Sequence, residues 1–229
     1  MANRNTVGFG LIPSGALGAT PSTGGQNKYK IDSGYGSSIY LGQPVQYDTA
    51  GGANDNPGYV INGQDAITRP TIGVFNGCFY TDANTLKPTF SSFFARTTAP
   101  ANSEDIDAFI IDNPFQQYNV QLSGRLGATA AAAQAEMGKT LGLTVSANGA
   151  ASAASGSTLS GQSNSQLTVG GSNAVANQWR MLRSAEDPEN EDFITTPQLN
   201  PALAGFSGLA TVVVVANQSQ WFGSGQVSA

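Results

Sequence analysis

The apolar runs of this chain are short, and most are closed by Gly, Pro, Asn or Asp. The longest, residues 209–216 (LATVVVVA), is broken by Thr211. It falls far short of the roughly 20 apolar residues a membrane-spanning helix requires. Short β-branched and aromatic runs between turn residues are the mark of strands. Residues 72–80 (IGVFNGCFY) predict one, with Gly73 and Gly77 marking a bulge or a close backbone approach. Residues 90–95 read as its return strand across the loop 82–88. Further strands are predicted at 28–31, 38–41, 45–47, 106–111 and 118–122, the last with strict period-2 alternation. Residues 178–183 (QWRMLR) predict a strand with Trp179, Met181 and Arg183 on one face. The 209–217 run is apolar enough for the middle of a sheet. Residues 128–137 (ATAAAAQAEM) alone read as a helix, since Ala is the best helix former, and Gly138 suits its end.

These elements predict a mainly β fold, a β-sandwich or barrel-like domain with long polar loops and one short Ala-rich helix. Residues 1–27, rich in Gly, Asn, Pro, Ser and Thr, read as an extended N-terminal arm. It is either a tail without fixed structure or an arm that orders on a neighbouring subunit. Residues 28–229 then form a β-rich domain with a low-complexity insert at about 146–174. That insert is either a long surface loop or an excursion clasping an adjacent subunit.

Charged residues are only 11% of the chain, while Gly is 28 of 229, or 12%. Water-facing chemistry therefore falls to Ser, Thr, Asn, Gln and Gly, and weakly charged surfaces lose little on burial against a partner. The net charge of −5 argues against nucleic-acid binding, which needs clustered cations. With no histidine, the commonest general base and metal ligand is missing. The single cysteine, Cys78, allows no intrachain disulfide and fits a reducing compartment. It lies mid-strand, where a small core residue is expected. Residues 1–10 lack the pattern of a secretion signal.

Acidic residues cluster twice, at Glu104, Asp105, Asp107 and Asp112, and at Glu186, Asp187, Glu189, Glu191 and Asp192. Either could in principle supply a carboxylate pair for glycoside hydrolysis, but no aromatic platform accompanies them, and solvated loop charge is the expectation. Asp48, Asp55 and Asn56, or the second cluster, could offer oxygen ligands to calcium, without the spacing of an EF-hand. Gly138-Lys139-Thr140 ends like a phosphate loop, yet Ala133 stands where the first Gly is needed. No cofactor and no enzymatic activity are expected.

Three segments resemble small structural proteins of tailed bacteriophages, notably marine and cyanobacterial phages. They are 72–80 with 90–94, 106–115 (IDAFIIDNPF) leading into 118–121, and 179–183 with 187–190, closing on the 212–217 strand. Residues 35–45 (YGSSIYLGQPV) resemble the family loosely. The resemblance implies a head decoration, or cement, protein on the virion capsid surface, assembled in the host cytoplasm. Its partners would be the major capsid protein and further copies of itself, with no nucleic acid and no membrane. Closed symmetric oligomers are the default for such assemblies, and a trimer at a threefold position is the favoured form. Phe9, Leu11, Ile12, Trp221 and Phe222 are the expected apolar anchors, although the tryptophans could equally serve the chain's own core. A tail or adhesion-device protein binding a host surface is the alternative, and exposed aromatics would favour it.

Overall fold

A computed structural model describes residues 8–18, 25–48, 58–63, 71–124, 126, 130–144, 156–168, 177–185 and 210–217. In chain order the strands are β1 (Ile12–Ala16), β2 (Asn27–Ile31), β3 (Pro44–Tyr47), β4 (Val60–Asn62), β5 (Gly73–Thr81) and β6 (Pro88–Ser91). β7 (Ile106–Ile111) and β8 (Gln116–Gln121) follow, then the helix α1 (Ala130–Glu136). β9 (Thr140–Leu141), β10 (Leu143–Thr144), β11 (Gln166–Leu167), β12 (Trp179–Ser184) and β13 (Thr211–Ala216) complete the set. Among the described residues the fold is mainly β, with two larger antiparallel sheets in a sandwich-like arrangement, a two-stranded β10–β11 pair and one short α-helix.

The first sheet runs β2-β7-β5-β3-β4. Its two ends approach each other, because Lys30 N–H donates to the Gly58 carbonyl at 3.2 Å and Lys30 bridges Tyr59. The sheet thus curls like a barrel around Ile31, Val45, Val60, Phe75, Cys78, Phe94, Ile106 and Ile110, all buried. The nine-residue β5 is its spine, pairing β7 along one edge and sharing the other between β3 and β6. Its register shifts between Phe75 and Gly77, the bulge that the glycines predict. Gly73 is a close approach: a Cβ there would stand 2.2 Å from the Ile111 carbonyl oxygen.

The second sheet runs β1-β8-β13-β12-β9. β13 lies at its centre with Val212, Val213, Val214 and Val215 buried, as its continuous apolar sequence requires. Tyr118, Val120, Trp179, Met181, Val212 and Val214 build the core here, and Ala133 of α1 packs onto it. Val74 and Ile111 of the barrel belong to this same cluster, which joins the two sheets. Tyr118 adds a hydroxyl hydrogen bond to the Ile111 carbonyl at 3.1 Å.

Several local expectations change. Residues 38–41 make only isolated bridges, Ile39 to Phe94 and Leu41 to Gln162, because Gly42 turns the chain with φ of 79°. Arg183 leaves the Trp179–Met181 face and is exposed, since the β12 register shifts between Met181 and Arg183. The return strand of the β5 hairpin starts and ends earlier than expected, at Pro88 and Ser91.

Candidate functional site

The β5–β7 pair carries one continuous outer face. Across the two strands Val74 stands opposite Ile111, Gly77 opposite Phe109 and Phe79 opposite Asp107, and directly opposed residues share a face. At the Val74–Ile111 end the second sheet covers it. At the other end it is open: Phe79 is 40% exposed, and its cross-strand partner on β6, Phe90, is 64% exposed. The Phe90 and Phe109 ring centroids lie 6.0 Å apart at a 35° tilt.

Gly77 makes this arrangement possible. Its φ is 132°, a conformation side chains rarely adopt, and a Cβ there would come within 2.8 Å of Phe90 Cζ. The glycine gives up strand packing so that an aromatic ring can lie over the backbone. Lys28, across from Phe109, and Lys30, across from Asp107, edge the patch from β2. Their ammonium groups reach Asp107 at 3.2 and 2.5 Å. Burial pushes the Asp107 carboxyl up, but the hydrogen bonds from Lys30 and Lys28 outweigh it and hold the group below its ordinary range.

A cleft of about 230 Å³ opens where the covered end of this face meets β1, lined by Phe9, Leu11, Ile12, Val74, Ile111 and Gln162 among others. It brings together three of the five anchors expected from the sequence, in different states. Leu11 is buried in the chain's own core, Phe9 is half-buried, and Ile12 is 43% exposed. Trp221 and Phe222 lie outside the described residues. The part of the expected arm that is described is docked on its own chain. Leu11 N–H donates to Gly42 O at 2.8 Å, Gln162 Nε2 to Phe9 O at 3.0 Å, and β1 pairs with β8. Near the far end of β1, Leu17 N–H donates to Phe115 O at 2.9 Å. Leu17 and Phe115 are 42% and 52% exposed, which leaves a second apolar area along the edge of the second sheet.

Within the low-complexity insert, residues 156–168 also bind their own chain. Gly156 and Gly161 lie against the stacked pair Tyr40 and Phe93, whose centroids are 5.7 Å apart. Ser163, Ser165, Gln166 and Leu167 are buried. Leu159 stands out from this segment, 98% exposed.

The first acidic cluster is divided among separate partners. Asp105 accepts from the Tyr59 hydroxyl, Asp107 binds the two lysines, and Asp112 accepts from Asn27 Nδ2 at 2.8 Å and the Tyr29 hydroxyl at 2.7 Å. Burial, then the bond to Asp112, raises the Tyr29 hydroxyl well above its ordinary value. The second acidic cluster, Asp55 and Asn56 lie outside the described residues. Among the described residues no three His, Cys, Asp or Glu side chains are grouped to hold a metal ion. Cys78 is buried in the barrel core, and burial pushes its thiol up to about 12. Such a thiol is protonated at neutral pH and makes a poor nucleophile. The chain matches no protein-family model, no curated protein and no solved structure.

The exposed phenylalanine pair escapes sequence reading because alternation gives two faces of β5 without saying which end is covered. The one available signal is Gly77 within an aromatic strand, which marks a ring lying over backbone.

Proposed function

We propose that the chain is a virion structural subunit, a head decoration (cement) protein that binds the outer surface of an icosahedral shell and bridges neighbouring major capsid proteins. The observation that supports this reading is the dispersal of exposed large apolar side chains over separate places. Ile12, Leu17 and Phe115 lie along the β1–β8 side and Leu159 on the insert. None of these areas approaches the roughly 800 Å² per partner of a stable pairwise interface. A subunit that touches several neighbours through small contacts gains its hold by multivalency, since the first contact makes the others intramolecular. Low charge favours the same design, because few ions must be desolvated.

Co-sedimentation of the purified chain with expanded capsids that lack it tests the reading. The wild-type chain is expected to pellet with the shells, and the Leu17→Ser/Phe115→Ser double variant to stay in the supernatant. A wild-type chain that stays in the supernatant at every concentration contradicts the reading. The alternative, a tail or adhesion-device protein that binds a host surface, is favoured by the Phe79–Phe90 pair, because exposed aromatics suit contact with a ligand outside the particle.

A further inference from the structure

We propose that the open end of the β5–β7 face is a binding site for neutral polysaccharide, with Phe79, Phe90 and Phe109 as its platform and Lys28, Lys30 and Asp107 as its polar edge. The inference rests on neither virion placement, since an outward-facing subunit of head or tail could use it.

Three observations point to this ligand class. The first is size. Phe79 and Phe90 are 40% and 64% exposed, and an aromatic side chain offers roughly 150–250 Å², so together they present about 200 Å². That is about a quarter of one side of a stable protein interface, yet enough to cover a few sugar rings. The second is preorganisation. Phe90, on β6, is seated over Gly77 of β5, and β5 is itself bonded to β6 along one edge and to β7 along the other, so little ordering remains to oppose binding. A pyranose presents one apolar C–H face with hydroxyls around its rim, and the electron-rich face of an aromatic ring attracts such C–H groups. The third is charge. Asp107 is bound by both lysines, so the edge offers carboxylate and ammonium hydrogen-bonding groups to hydroxyls and keeps a net local charge of only +1. The chain as a whole carries −5, which disfavours polyanions and points to uncharged glycans.

Affinity electrophoresis of the full chain through native gels containing dextran, galactomannan or soluble starch tests the site. Retardation in at least one of these gels is expected. Phe90→Ala and Phe79→Ala should each weaken it about tenfold or more, the loss typical of a central binding residue. Leu159→Ala, at a more exposed and separate position, should migrate as wild type does. Thermal unfolding of the two phenylalanine variants confirms that they remain folded. The proposal is overturned if the wild-type chain runs unretarded in all three gels, or if Phe90→Ala and Phe79→Ala are retarded as strongly as wild type. Sedimentation velocity supplies a further check: a dimer that disappears in Phe90→Ala assigns the face to a second copy of the chain instead.

Discussion

At one end of the β5–β7 outer face, Val74 and Ile111 pack with Leu11, just before β1, and with Tyr118 of the second sheet. At the other, Phe79 and Phe90 meet solvent. The two strands and their outward side are shared, across a register shift between Phe75 and Gly77. The main difference between the ends is whether another part of the chain covers them. Covered apolar side chains are held by packing and contribute to stability; exposed ones contribute little to it and remain free for binding. Substitutions at the covered end should therefore unfold the protein, while those at the open end should spare the fold.

The largest effect is expected at Gly73. Any side chain there meets the Ile111 carbonyl oxygen at 2.2 Å, and backbone at both sides of the contact cannot swing away. Gly73→Val should cost about 3 kcal/mol or more, read as a lowered urea midpoint. A midpoint within error of wild type breaks the account of how the two strands meet.

Trp179, fully buried against Tyr118 with ring centroids 5.7 Å apart, comes next. Trp179→Ala should cost about 3–5 kcal/mol. Among the described residues its indole Nε1 is buried without a hydrogen-bond partner, so Trp179→Phe removes that donor along with ring volume. That variant should recover more than half of the alanine loss in the same denaturation assay.

At the open end Gly77 and Phe90 form a coupled pair. Gly77→Ala combines a strained φ with a clash against Phe90 and should cost about 1–3 kcal/mol. Phe90→Ala alone should cost under about 1 kcal/mol. The double variant should be more stable than the sum of the two changes, because truncating the ring leaves room for the new methyl. Simple additivity in that cycle would remove the claim that Gly77 exists to seat the ring.

The smallest effect is electrostatic. The carboxyl of Asp107 titrates below its ordinary value in the folded state. It therefore adds stability above the unfolded value of about 3.9, lost as pH falls through the lower folded value. Asp107→Asn should flatten the acid limb of the stability profile below about pH 4. The difference should shrink in high salt, because the lysines are largely exposed.

The barrel was the more legible half. β7 matches its expected residues, β5 lies within one residue of expectation at each end, and the glycines of β5 announce both the bulge and the close contact. The period-2 signal works here because the strands turn alternate side chains into the apolar barrel core. The docking of residues 156–168 was not legible, because Ser163 and Ser165 are buried through hydrogen bonds and carry no hydrophobic periodicity. Leu11 was expected to anchor a neighbour and instead fills the chain's own core; one leucine between glycines does not say which surface it will meet. Of the candidate site, the sequence contained the aromatic residues but not the cover that leaves two of them exposed.

Cryo-electron microscopy of expanded capsids mixed with the purified chain tests the central claim most directly. The account predicts added density at regular lattice positions outside the shell, with the Leu17–Phe115 side toward the capsid and the Phe79–Phe90 face turned to solvent. Bare shells, or density confined to the tail of intact particles, would contradict it.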